Sequence, residues 1–152
     1  MSRVGLPNWG WAAEGIPMAA TRDSWKTMPL PAAREVLALD RTYSAFEFDR
    51  LKEGEVPRRM EDKWFVFYEE PWLYLHRSWT GFSVYQVQFE PAAAGARVAE
   101  VLVNRDSEQY RGTDGTRDAL LLSVLLDRYA GRDTHAGWER YKASLRAAGD
   151  DA

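Results

Sequence analysis

A chain of 152 residues, 45% of them hydrophobic, has the length of one globular domain and enough apolar material for its core. It has no cysteine, which excludes disulfides, thiolate zinc sites and cysteine nucleophiles. Its net charge is -3 and its acids and bases are interspersed, so no basic stripe points to a nucleic-acid partner, although a local groove could still be basic.

Residues 1–33 contain Pro7, Pro17, Pro29 and Pro31, which interrupt regular elements, together with Trp9, Trp11 and Trp25. Disordered segments are poor in aromatics, so this stretch reads as an irregular arm that packs on the domain or on a partner. No long apolar run follows the amino-terminal charge, so no signal peptide is expected. The most apolar stretch, Ala119–Leu126, is too short to span a bilayer. With the absence of cysteine, this suggests a cytoplasmic protein without a membrane partner.

Residues 34–148 read as a single α+β domain. Glu35–Leu39 has the composition of a short strand. Ser44 and Glu47 form a capping box, and Tyr43 and Phe48 hold the positions of a hydrophobic staple around it. A helix is therefore expected over Ala45–Glu53, ending at Gly54. Three strand-length segments follow from Lys63, separated by Glu70–Pro71 and by Thr80–Gly81, and a fourth runs over Arg97–Asn104 after an Ala/Gly loop. Such short breaks favour antiparallel hairpins and a four-stranded meander. A helix then starts near Thr116 and ends at Gly131, with Leu121, Val124, Leu125 and Tyr129 on one apolar face that Leu122 and Leu126 widen. A last helix carries Trp138, Tyr141 and Leu145 on one stripe. Strands first and helices after predict two layers, a meander packed on carboxy-terminal helices.

Strand alternation sorts the residues that could carry chemistry. Trp72, Tyr74, His76 and Ser78 share one face, and Leu73, Leu75, Arg77 and Trp79 share the other. If the two leucines are core, His76 faces the more open side, beside Gln86 and Gln88 of the next strand. Rings and amides together suit a flat or polar ligand. His76 would be a general acid–base or a ligand contact there, against the commoner alternative of a strand histidine bonded to the backbone. Arg77 would need an acid such as Asp106 or Asp118 if buried, and it also suits phosphate or carboxylate. Ser78 lacks a G-x-S-x-G setting and an acidic orienter for His76, so a Ser–His triad is not supported. Gly81 is available for a positive φ in the hairpin turn. Glu61 and Asp62 converge only in a loop, and His76 and His135 have no metal-ligand spacing, so no metal is implied.

The polar stretch Asn104–Asp118 offers Asn104, Arg105, Asp106, Tyr110 and Arg111 on a connection between strand and helix, where sites concentrate. It has no G-K-[ST], so it is not a Walker A loop. Its plainer reading is a helix-capping connection with solvent-facing charges.

The stretches W-F-x-x-Y at Trp64–Tyr68, L-x-x-H-R-S-W-T-G at Leu73–Gly81 and N-R-D-x-x-Q-Y at Asn104–Tyr110 resemble, in this order, a family of uncharacterised bacterial proteins. Related segments accompany ADP-ribosylglycohydrolase-like domains. The resemblance covers Met60–Arg128. It implies a context of ADP-ribose chemistry but carries over no catalytic residue, and this chain shows no hydrolase domain.

The reading that follows is a small binding or accessory protein recognising a partner protein or a nucleotide-like ligand. Its candidate contacts are His76, Arg77, Trp79, Gln86, Asn104, Arg105 and Tyr110, and no cofactor is implied. Two alternatives are an enzyme on a nucleotide or ADP-ribose-like substrate with His76 as acid–base, and a toxin-neutralising immunity protein.

Overall fold

A computed structural model describes residues 19–149 of the chain. Trp9 and Trp11 of the expected arm lie outside the described residues.

The strands are β1 (Arg34–Leu37), β2 (Thr42–Ser44), β3 (Trp64–Glu69), β4 (Trp72–Arg77), β5 (Ser83–Ala92) and β6 (Gly95–Asn104). The helices are α1 (Ala45–Glu53), α2 (Gly115–Ala130) and α3 (His135–Gly149). One antiparallel sheet runs in the order β1-β6-β5-β4-β3, with β2 pairing the other end of β6. The expected meander is β3 to β6 in chain order. The whole sheet is larger than this meander, because β1 and β2 both add to the free edge of β6 and make six strands.

The Ala/Gly loop is also shorter than expected. Strands β5 and β6 stay paired to Ala92 and Gly95, leaving only Ala93 and Ala94 in the turn. The close passage of β2 explains this. A Cβ on Gly95 would stand 2.3 Å from the Tyr43 carbonyl oxygen, so only glycine lets β2 approach there.

Helix α1 follows its local signals. The Ser44 hydroxyl accepts the Glu47 N–H at 3.1 Å, and the Glu47 carboxylate accepts the Ser44 N–H at 2.9 Å. Tyr43 and Phe48 both meet Phe89, with ring centroids 6.5 and 5.0 Å away. Helix α2 starts on the Asp114 side chain, which accepts the N–H groups of Thr116 and Arg117. It ends at Gly131, in the left-handed conformation. Among the described residues no helix is long and apolar enough to cross a membrane.

The main core lies between the helices and one sheet face. It joins Val66, Leu73, Leu75, Val87, Val101 and Val103 to Leu122, Leu125 and Leu126. Leu122 and Leu126 are completely enclosed, so they form the centre of the α2 face rather than its margin. Leu121 is only half-buried. The opposite sheet face is capped at its β3–β4 corner. There Phe65 and Phe67 pack with Ala20, Val56 and Tyr74 in a second, smaller core. The arm is pinned across this corner by backbone bonds from Ala20 N–H to Glu53 and from Met28 N–H to Gly81, both 2.8 Å.

Candidate functional site

The segment Leu75–Gly81 divides its side chains between scaffold and surface. His76 does lie on the face opposite Leu73 and Leu75, but that face is closed here and His76 is only 2% exposed. The arm and the smaller core cover it. Its ring stacks on Phe67 at 5.5 Å, and Nδ1–H donates to the Gly81 carbonyl at 2.8 Å. Nε2, then the unprotonated nitrogen, has no hydrogen-bond partner among the described residues. Burial holds the imidazole below its ordinary pKa, against the opposing pull of the Gly81 carbonyl. An acid–base role needs a cleft and a carboxylate orienter. Among the described residues His76 bonds to no carboxylate, and it lines none of the cavities they form at the β4–β5 turn, α1 or α2.

The neighbours complete a clasp around the β4–β5 turn. Ser78 donates its hydroxyl to the Asp62 carbonyl at 2.7 Å, and its own carbonyl accepts the Trp25 indole N–H at 2.7 Å. The Trp79 indole N–H donates to the Met60 carbonyl at 3.0 Å. Gly81 takes the positive φ that the turn requires, +81°.

Arg77 faces the other way. Of the two acids expected for it, Asp106 accepts the Glu108 N–H at 2.9 Å, and Asp118 is occupied elsewhere. Asp118 is 3% exposed and accepts the hydroxyls of Tyr85 at 2.8 Å and Tyr110 at 2.5 Å. Its second oxygen lies 2.7 Å from the Arg105 guanidinium. Arg105 also donates to Glu35 at 2.7 Å and to the Gly112 carbonyl at 3.0 Å. Burial, reinforced by the neighbouring Asp118 carboxylate, raises the phenol pKa of Tyr85 and pushes that of Tyr110 up to about 12. Arg77 is left over the Trp64 ring, 4.8 Å from its centroid, with no ion-pair partner among the described residues.

Asn104, Arg105 and the following loop serve mainly to hold one another. Asn104 is fully buried, donating to the Ser83 carbonyl at 2.8 Å and to Gln109 at 2.9 Å, and it accepts the Asp106 N–H at 2.7 Å. Gln86 pairs across the sheet with Tyr74, on the face turned away from the helices.

The structure brings Arg77, Trp79 and Tyr110 together around a groove of about 720 Å³ between the β4–β5 turn, the Asn104–Gly112 loop, α2 and α3. His76, Gln86, Asn104 and Arg105 do not line it. Lys63, Arg111 and Arg117 add three cations. Tyr141 and Leu145, two of the three residues of the α3 stripe, supply an apolar wall. No carboxylate lines the groove among the described residues. Arg117 is partly committed, to Ser144 at 3.1 Å and to Asp114 at 3.8 Å, whereas Lys63 and Arg111 have no ion pair among the described residues. Arg111 belongs to the polar stretch after β6 but not to the candidate contacts, and Lys63, Arg117 and Tyr141 are outside them as well. Their only sequence signal is residue type, since no motif links them.

The arrangement can neutralise an anion and stack a ring, and it contains no nucleophile–base pair. Among the described residues no group of three or more histidines or carboxylates is placed to hold a metal ion. Compared with family models, with curated proteins and with solved structures, the chain finds no match.

Proposed function

We propose that this is a binding protein for a nucleotide-like ligand, held in the groove between the β4–β5 turn and α3. One observation carries the reading: four cations and several aromatic rings line a groove of about 720 Å³ that no described carboxylate enters, on a chain of net charge -3. Lys63, Arg77 and Arg111, left without carboxylate partners among the described residues, repel one another and favour an anion. Arg77 and Arg111 offer planar forks for phosphate oxygens. Trp79, 61% exposed, and Tyr141 offer ring faces for a base. The volume falls within the range of small-ligand sites. The resemblance of the chain's motifs to segments accompanying ADP-ribosylglycohydrolase-like domains makes ADP-ribose the first ligand to test.

Calorimetric titration with AMP, ADP and ADP-ribose tests the proposal. Saturable binding should weaken about tenfold or more in Arg77→Ala and in Arg111→Ala, the worth of a charge-assisted contact. No heat from any of the three at millimolar ligand, with folded protein, would overturn it.

A further inference from the structure

We propose that the groove is one half of a longer track for single-stranded nucleic acid. This rests on the phosphate- and ring-binding reading of the groove and extends it across Trp79. A second concavity of about 460 Å³ shares that indole and is lined by the arm and the Pro57–Met60 segment. Trp79 lines both cavities.

The second concavity repeats the chemistry of the first. Its cations are Lys26, Arg58 and Arg59, and no carboxylate lines it among the described residues. Lys26 and Arg58 have no ion-pair partner among the described residues, and Arg59 has only a long contact to Asp62 at 3.6 Å. Trp25, Met60 and Trp79 are all exposed there, which makes three apolar side chains at one place on the surface. Trp25 and Trp79 are not loose. Each indole N–H is fixed to a backbone carbonyl, so their ring faces are held for stacking at little entropic cost. Seven cations thus gather along two adjoining cavities with an exposed ring at their junction, on an acidic protein.

A mononucleotide fills one cavity and leaves Lys26 and Arg58 of the other without an anion. A chain of alternating phosphates and bases uses both. That pairing of a positive groove with stacking rings is how single strands are bound without sequence readout. A duplex buries its bases and offers nothing to Trp79.

The test measures fluorescence anisotropy of labelled ten-nucleotide single-stranded RNA and DNA, beside calorimetry of AMP and ADP-ribose, a duplex of equal length and a poly-glutamate peptide. The single strand should bind at least tenfold more tightly than AMP and than the duplex. Its log affinity should fall with log salt with a slope of about -2, as for three phosphates neutralised. Arg58→Ala with Arg59→Ala, both exposed side chains, should weaken the oligonucleotide several-fold and leave AMP unchanged. Trp79→Ala should cost the oligonucleotide roughly tenfold, the worth of one stacked base. Equal affinity for AMP and the single strand would overturn the extension and leave the nucleotide groove standing. Tighter binding of poly-glutamate than of the oligonucleotide would replace it with an acidic protein partner. Absence of binding by every probe would overturn both readings.

Discussion

His76 and Arg77 are adjacent in the chain and lie on opposite sides of the sheet, His76 sealed beneath the arm and Arg77 at the wall of the groove. Their substitutions should therefore separate stability from binding. His76→Ala removes a buried ring stacked on Phe67 and the bond to Gly81, and should cost about 2–4 kcal/mol. Arg77→Ala leaves no buried polar group behind and should cost within about 1 kcal/mol. Urea unfolding of both variants, beside nucleotide titration, checks this: the first should unfold early, and the second should fold normally and bind poorly.

Asp118 is the fixed point of the loop that faces the groove. Removing it leaves Arg105 without its buried ion-pair partner and two tyrosine hydroxyls without their shared acceptor. Asp118→Ala should destabilise by about 3–5 kcal/mol, as for breaking a buried charge pair. Asp118→Asn, which keeps an acceptor oxygen but loses the charge, should cost less. Hydrogen exchange should show the Asn104–Gly112 amides opening first in the alanine variant. Uniform exchange across the domain would argue that the loop stands without the carboxylate.

The His76 imidazole also sets a pH dependence. Its folded pKa lies below the ordinary value of about 6.5, because burial disfavours the charged ring. Above that value both states are neutral and the group contributes no slope. As pH falls below about 6.5 the unfolded chain takes a proton that the folded chain refuses, so stability declines until the folded pKa is passed. His76→Gln can keep a donor for Gly81 and does not titrate. Denaturation midpoints should fall between pH 6.5 and 5 in the parent protein and be flatter in the variant.

The parts of the fold that local chemistry specifies were legible in the sequence. The Ser44–Glu47 box gave the bounds of α1, and short breaks between aromatic strands gave the meander. Alternation placed His76 and Arg77 on opposite faces. It could not reveal which face stays open, because the smaller core on that face brings Ala20 and Val56, distant in sequence, against Phe65 and Phe67, whose rings flank His76. Nor could it decide which arginine takes Asp118. Arg105 wins because β1 sets Glu35 beside it as well, where it pairs at 2.7 Å. The groove was legible only in fragments. Lys63, Arg77, Arg111 and Arg117 are spread over more than fifty positions among acids, and only the folded sheet and helices bring them to one wall without those acids.

The far edge of the domain is held by a charged clasp that should fail in acid. Arg132 donates to both oxygens of Glu47 at 2.9 Å, donates to the Thr42 carbonyl at 2.8 Å, and covers the Tyr43 ring at 4.4 Å. It thereby ties the end of α2 to the start of α1 and to β2. The guanidinium, with the Ser44 N–H, holds the Glu47 carboxyl down at about 2. A folded pKa below the unfolded one means the clasp contributes fully above about pH 4.5, and its contribution is lost as pH falls from there toward 2. This window lies below that of His76, so the two can be told apart. Glu47→Gln should lower stability by about 1 kcal/mol at pH 7, a modest figure because the pair is partly solvated, and by progressively less toward pH 2. Urea midpoints of parent and variant should therefore converge on acidification. A difference that stays constant from pH 7 to pH 3 would show that Glu47 acts through its cap geometry rather than its charge.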